Sequence, residues 1–180
     1  MGIWVIMNNK PTVNKTKDEY GEAFSAHLLE QYKIVRSAIV DIQNDRNVNN
    51  RFLFTILTSL LAISAFAAQQ ALTPFSANAK IFLLFLLMLS PIFGVAISWI
   101  WIRLNNTYHE GMRARYEVLK EIENWLPACP FTREYEIRGS NYVSVSEIAI
   151  RIAKVFIFIN VLFIIIFTCY FIRFLFAGQI

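Results

Sequence analysis

The chain has 180 residues, 56% of them hydrophobic with 16 Phe, and a mean hydropathy of +0.45. That is too apolar for an ordinary water-soluble domain and too short for a transporter built from two repeated halves. The formal charge of +4 is no nucleic-acid footprint, because residues 1–51 hold seven Lys/Arg against six Asp/Glu and residues 103–151 hold seven against seven, interleaved rather than gathered.

Residues 1–21 read as a flexible N-terminal tail. They lack a basic start followed by an apolar run and a small-residue cleavage site, so no secretory signal is expected, and Met7 offers an alternative start. Residues 22–126 read as a helical hairpin. Between 22 and 51 there is neither Pro nor Gly, and Leu28, Tyr32, Val35, Ile39 and Ile42 recur at steps of four and three, the seam of a packed helix. Running straight into the apolar stretch 52–72, this segment predicts one helix of roughly 50 residues, about 75 Å long at about 1.5 Å per residue. A short connection, 73–80, has Pro74 as its turn former and leads to a second apolar stretch, 81–102. Beyond it Tyr108, Met112, Leu119, Ile122 and Leu126 repeat the seam until Pro127 stops it. Two such helices should pack as an antiparallel pair. Their seams are only one or two residues wide, so neighbouring subunits are expected to complete the cover.

Residues 127–147, with Pro130, Gly139, Ser140 and Asn141, read as a polar connector. Residues 148–180 read as a C-terminal hydrophobic helix containing a third uncharged stretch, 155–172; a full crossing and a re-entrant or interface-lying helix both fit it. Each of the three stretches approaches the ~20 residues a helix needs to cross a bilayer. Lipid offers the backbone no hydrogen-bond partner, so the expected fold is all-α: an integral membrane helical hairpin with long cytoplasmic helical extensions, a third hydrophobic helix, and a homo-oligomeric assembly. The connection 73–80 carries a single Lys while the polar segments on either side carry seven basic residues each, which predicts a cytoplasmic N-terminus. The two cysteines, Cys129 in a polar stretch and Cys169 in an apolar one, make no disulfide framework.

The candidate functional residues are the polar and small ones inside or beside the apolar stretches. Thr55, Thr58, Ala62, Ala65 and Gln69 share one face of the first span; Ser90, Gly94 and Ser98 share one on the second, where Pro91 predicts a kink; Asn160 sits in the third. Such residues either pack helices together or line a water-filled path. Beside the membrane, Asn44, Asp45, Arg46, Asn47, Asn49, Asn50 and Arg51 precede the first span, and Arg103, Asn105 and Asn106 follow the second. The hairpin brings these to one height, as a hydrogen-bonded collar or as ligands for lipid phosphates.

Trp101, Tyr108, Ala114, Arg115, Tyr116, Val118, Leu119, Glu121, Ile122, Glu123, Leu126 and Pro127, followed by Pro130, Phe131, Thr132 and Glu134, with Asn49, Asn50, Phe52 and Leu53 before the first span, form a pattern across 31–134. It resembles small bacterial inner-membrane proteins of the RipA-type octameric family, similar in layout to two-span SLATT-like effectors. The resemblance implies a homo-octamer in the bacterial inner membrane. Some relatives support growth within host cells or envelope integrity; others accompany type VI-B CRISPR effectors, with an octameric pore that depolarises the membrane in phage defence. An RNA-guided effector would then be a functional partner, beside lipids and the chain's own copies, without direct nucleic-acid binding.

That second branch carries a HEPN-like Arg…His motif, matched here by Arg103 and His109. Six residues at about 100° each place the two about 120° apart on a regular helix, so one subunit does not readily aim both at one phosphate. There is no glycine-rich phosphate loop, no metal spacing of Cys or His, and no Ser/His/Asp set. Neither catalysis nor a cofactor or metal is expected.

Overall fold

This computed structural model describes residues 12–13, 15–71, 77–139 and 143–177. Their regular structure is helical throughout: α1 (Lys17–Tyr20), α2 (Phe24–Ala71), α3 (Ala77–Glu123), α4 (Pro130–Arg138) and α5 (Val145–Ala177). The fold is all-α, and α2, α3 and α5 are each long and apolar enough to cross a membrane. The expected turn around Pro74 and the first eleven residues of the tail lie outside the described residues.

The helix limits follow local chemistry. Gly21 (φ 92°) separates α1 from α2 and Gly139 (φ 65°) ends α4, both in the left-handed region that a side chain disfavours. Between residues 127 and 147 the sequence predicts only a polar connector, yet two helical pieces form there. Pro130 sits at the start of α4, where its missing N–H costs nothing. Ser144 caps α5, its Oγ accepting from the Glu147 N–H at 3.2 Å, so that helix begins at Val145 rather than 148.

The chain divides into two compact units, residues 1–43 with 110–142 and residues 44–109 with 143–180. In the first unit the ends of α2 and α3 pack as the antiparallel pair the seams imply: Phe24 meets Trp125, Tyr32 meets Glu123, and Gln43 donates to the Tyr116 hydroxyl. Phe24, Leu28, Tyr32, Ile39, Leu119 and Ile122 are buried there. Part of the cover that the thin seam needs comes from the same chain. Phe131 of α4 lies 6.4 Å from the Tyr32 ring and 6.2 Å from Tyr116, with the Arg36 guanidinium 6.0 Å above it.

In the second unit α5 runs beside α2 and α3 without a break. Arg46 reaches Ser146, and eight residues on Phe54 meets Phe156, so α5 runs parallel to α2. A re-entrant loop would require an interruption that this helix lacks. Leu57, Trp101, Ala149, Ala153 and Phe156 form its core. Only 17%, 33% and 11% of the most apolar windows of α2, α3 and α5 are buried, leaving Phe52, Phe66, Phe82, Phe85 and Phe158 outward. That surface suits lipid tails or neighbouring copies.

Gly94 lets α5 approach α3. A Cβ there would stand 2.4 Å from Asn160 Oδ1, and Asn160 is held in place by donating to the Phe156 carbonyl at 2.8 Å. Gly94→Ala is expected to destabilise the chain by about 1–3 kcal/mol, and in an Asn160→Ala background the same substitution should cost much less. Unfolding of the four proteins of that cycle in mixed micelles measures the coupling; equal costs in both backgrounds would contradict the close contact.

Candidate functional site

The hairpin places the polar residues flanking the spans at one height, where several bond to each other inside the second unit. The Asn50 side-chain oxygen accepts from Trp101 Nε1 at 2.7 Å and from Asn105 Nδ2 at 2.9 Å. Asn105 Nδ2 also donates to the Trp101 carbonyl, Asn49 donates to the Tyr108 hydroxyl, and the buried Arg46 reaches Ser146 Oγ. Asn105 is fully buried, and its Oδ1 meets no donor among the described residues. Rotating that amide would set its oxygen against the Asn50 and Trp101 oxygens, so the observed orientation is the favourable one. Asp45, Arg51 and Asn106 point outward. The collar therefore splits: Arg46, Asn49, Asn50 and Asn105 join helices, and Asn44, Asp45, Asn47, Arg51, Arg103 and Asn106 are exposed.

The residues inside the spans split in the same way. Ser90 is buried against Ser64, their hydroxyls 2.6 Å apart; Ser98 returns its hydroxyl to the Gly94 carbonyl; Asn160 is buried beside Gly94. These polar groups are consumed in packing one subunit. Ser64 carried no signal in the sequence because it stands off the Thr55–Gln69 face, and only a partner helix reveals its role. Thr55, Ala62, Ala65 and Gln69 are exposed and Thr58 is half-buried. Thr55 bonds back to the Arg51 carbonyl and Thr58 to the Phe54 and Thr55 carbonyls, so neither hydroxyl burdens an apolar neighbour with an unmet donor. Among the described residues, this face of α2 is left largely open by its own unit.

Arg103 and His109 are both exposed, on a helix unbroken between them. The Arg103 guanidinium lies 5.7 Å from the Trp99 ring centre, a cation–π contact. The geometry does not bring the two together within one chain. His27 pairs with the Tyr20 hydroxyl at 2.7 Å. Among the described residues no group of His, Cys, Asp and Glu is arranged to hold a metal ion.

The most fully bonded polar group belongs to the first unit, and sequence reading did not single it out for this role. Glu123, 2% exposed, ends α3 beyond the apolar stretch. Its carboxylate accepts from the Phe131 and Thr132 N–H groups at 2.8 and 2.9 Å, from the Thr132 hydroxyl at 2.8 Å and from the Tyr32 hydroxyl at 3.2 Å. It thereby supplies the cap that Cys129, at the N-cap position of α4, does not. Burial alone would raise the Glu123 carboxyl, but the two N–H groups and two hydroxyls outweigh burial and hold it below the ordinary range. Burial, then the Glu123 contact, pushes the Tyr32 phenol up.

A depressed carboxyl stabilises the fold fully above its unfolded value, about 4.3, and that contribution is lost as pH falls through the folded value. Glu123→Gln keeps the shape but turns an amide N–H toward donors, and is expected to cost about 1–3 kcal/mol. Hydrogen exchange at the Phe131 and Thr132 amides should accelerate in the variant at neutral pH and in the native chain only under acid; slow exchange in both would show that another group caps α4.

A family model described as the octameric membrane protein family (8xMP) matches residues 29–172. Comparisons with curated proteins and with solved structures find no match. The matched segment contains the Glu123 cap, the Asn50 layer and nearly all of the three long apolar helices, and the chain belongs to the octameric membrane protein family.

Proposed function

We propose that copies of this chain assemble as a ring whose axis is a pathway through the bacterial inner membrane, and that opening it permeabilises or depolarises that membrane. The observation that carries this reading is the division of the intramembrane polar residues. Ser64, Ser90, Ser98 and Asn160 are used up within one subunit, while Thr55, Thr58 and Gln69 remain together on a face that the described residues of their unit leave largely open. Among the outward surfaces of α2 this is the one that water tolerates, and its small Ala62 and Ala65 leave room at an axis. The charge bias across the membrane supports a cytoplasmic N-terminus. The resemblance to accessories of type VI-B CRISPR systems supports a role in antiviral defence, with the RNA-guided effector as functional partner.

A constitutive scaffold for envelope homeostasis is the second reading, favoured by how many polar groups serve only packing. In that case deletion alters envelope sensitivity without any defence system present. A membrane-anchored HEPN-like nuclease requires His109, so His109→Ala should leave protection against phage unchanged if the protein acts by permeation.

The test uses the full chain in liposomes and in infected cells, with a potential-sensitive dye. Thr55→Val, Thr58→Val and Gln69→Leu together are expected to preserve the oligomer and to lower ion flux at least about tenfold, as a hydrophobic constriction gates by dewetting. Flux equal to that of the native chain would exclude this face from the pathway; no flux from either protein under any trigger would favour the scaffold.

A further inference from the structure

We infer that Arg51, Arg103, Arg151 and Lys154 form a belt that binds the headgroups of anionic phospholipids. The contacts between helices set the height of each residue. Asn50 of α2 is level with Trp101 of α3, Arg46 with Ser146 of α5, and Phe54 with Phe156. At about 1.5 Å per residue, with α3 antiparallel and α5 parallel to α2, the four cations fall within a band about 8 Å tall. That is close to the headgroup layer on one side of a bilayer, about 5–8 Å. All four side chains are exposed, and none forms an ion pair among the described residues.

The internal polar groups at this height do not neutralise them. Asn50 and Asn105 are turned inward to Trp101, and Arg46 is buried toward Ser146. Arg103 lies over Trp99, which is 58% exposed, pairing a cation with an indole where tails give way to headgroups. The nearest exposed carboxylates on these helices, Asp45 and Glu147, sit further from the apolar stretches than the band does.

A neighbouring copy does not supply the missing negative charge either. This step rests on the ring reading above: rotation about the membrane normal preserves height, so each copy brings cations to the level of its neighbour's cations. What remains at that level is lipid phosphate. Phosphatidylglycerol and other net-negative lipids can neutralise the belt; a zwitterionic headgroup carries its own cation and does so less.

The full chain, reconstituted in vesicles of equal phosphatidylcholine and phosphatidylglycerol and then extracted in mild detergent, is analysed for retained lipid by mass spectrometry. Phosphatidylglycerol is expected to be enriched over phosphatidylcholine, and each cation replaced by Gln should lower the enrichment about fivefold. Arg51→Gln with Arg103→Gln, Arg151→Gln with Lys154→Gln, and the single Lys154→Gln are compared with Arg113→Gln plus Lys120→Gln, exposed cations outside the belt. Size-exclusion chromatography of the same samples reports assembly separately from lipid choice.

Equal retention of both lipids by the native chain, or an equal loss in the control pair, overturns the inference. So does displacement of phosphatidylglycerol by millimolar inorganic phosphate, which would identify a free-anion site. Dissociation of the oligomer by the belt variants, with no lipid preference in the native chain, would assign the cations to contacts between copies and overturn it as well.

Discussion

A polar group carried away from water must find its partner in protein, and this requirement organises the second unit from the Asn50 layer to Asn160. Asn50 accepts from two side chains of α3, and through Trp101 that layer touches Phe156 of α5. One amide thus fixes the register of the hairpin at the level where the third helix docks. Deeper in the span the same requirement gives the Ser64–Ser90 pair and the Asn160 amide folded onto its own helix. Each is a modest bond of about 0.6–2 kcal/mol. Their value lies in position, since a helix that slid by one residue would separate Asn50 from Trp101 and Asn105, and Ser64 from Ser90.

The first unit solves a different problem. Two helices in water with a narrow seam bury too little to hold a unique arrangement, and α4 widens the contact by laying Phe131 on Tyr32 and Tyr116. A nine-residue helix is itself marginal, so something must anchor its start. Glu123 does this from the end of α3, with four donors converging on one carboxylate. The same side chain satisfies the Tyr32 hydroxyl, so the seam and the added helix are held through one buried charge.

Polar residues in this chain therefore serve three separate ends. Some close the subunit on itself, as Asn50, Asn105, Ser90 and Asn160 do. Others are the exposed cations Arg51, Arg103, Arg151 and Lys154, which form no ion pair among the described residues. The Thr55–Gln69 face belongs to neither group, and membership of an octameric family makes other copies of the chain available to surround it. Most of the apolar surface of the spans is likewise uncovered in one chain, which a self-associating membrane protein resolves with copies and lipid together.

The three long apolar helices, the all-helical class and the two seams were legible in the sequence, because hydrophobic length and a three-to-four step depend only on neighbours along one helix, whereas α3 ends at Glu123, short of the stop expected at Pro127. The small-residue register of Ser90, Gly94 and Ser98 was visible for the same reason, but whether it packed a subunit or faced water was not. That depended on Ser64 and Asn160, which come from other helices. The cap by Glu123 was hidden because its donors lie eight and nine residues on, past a chain reversal, and its fourth partner is Tyr32 at the far end of the hairpin. Periodicity decides which face of a helix is greasy. Only the tertiary structure decides which polar atoms meet, since hydrogen bonds depend on ångström-scale distances between segments that the order of residues along one chain does not specify.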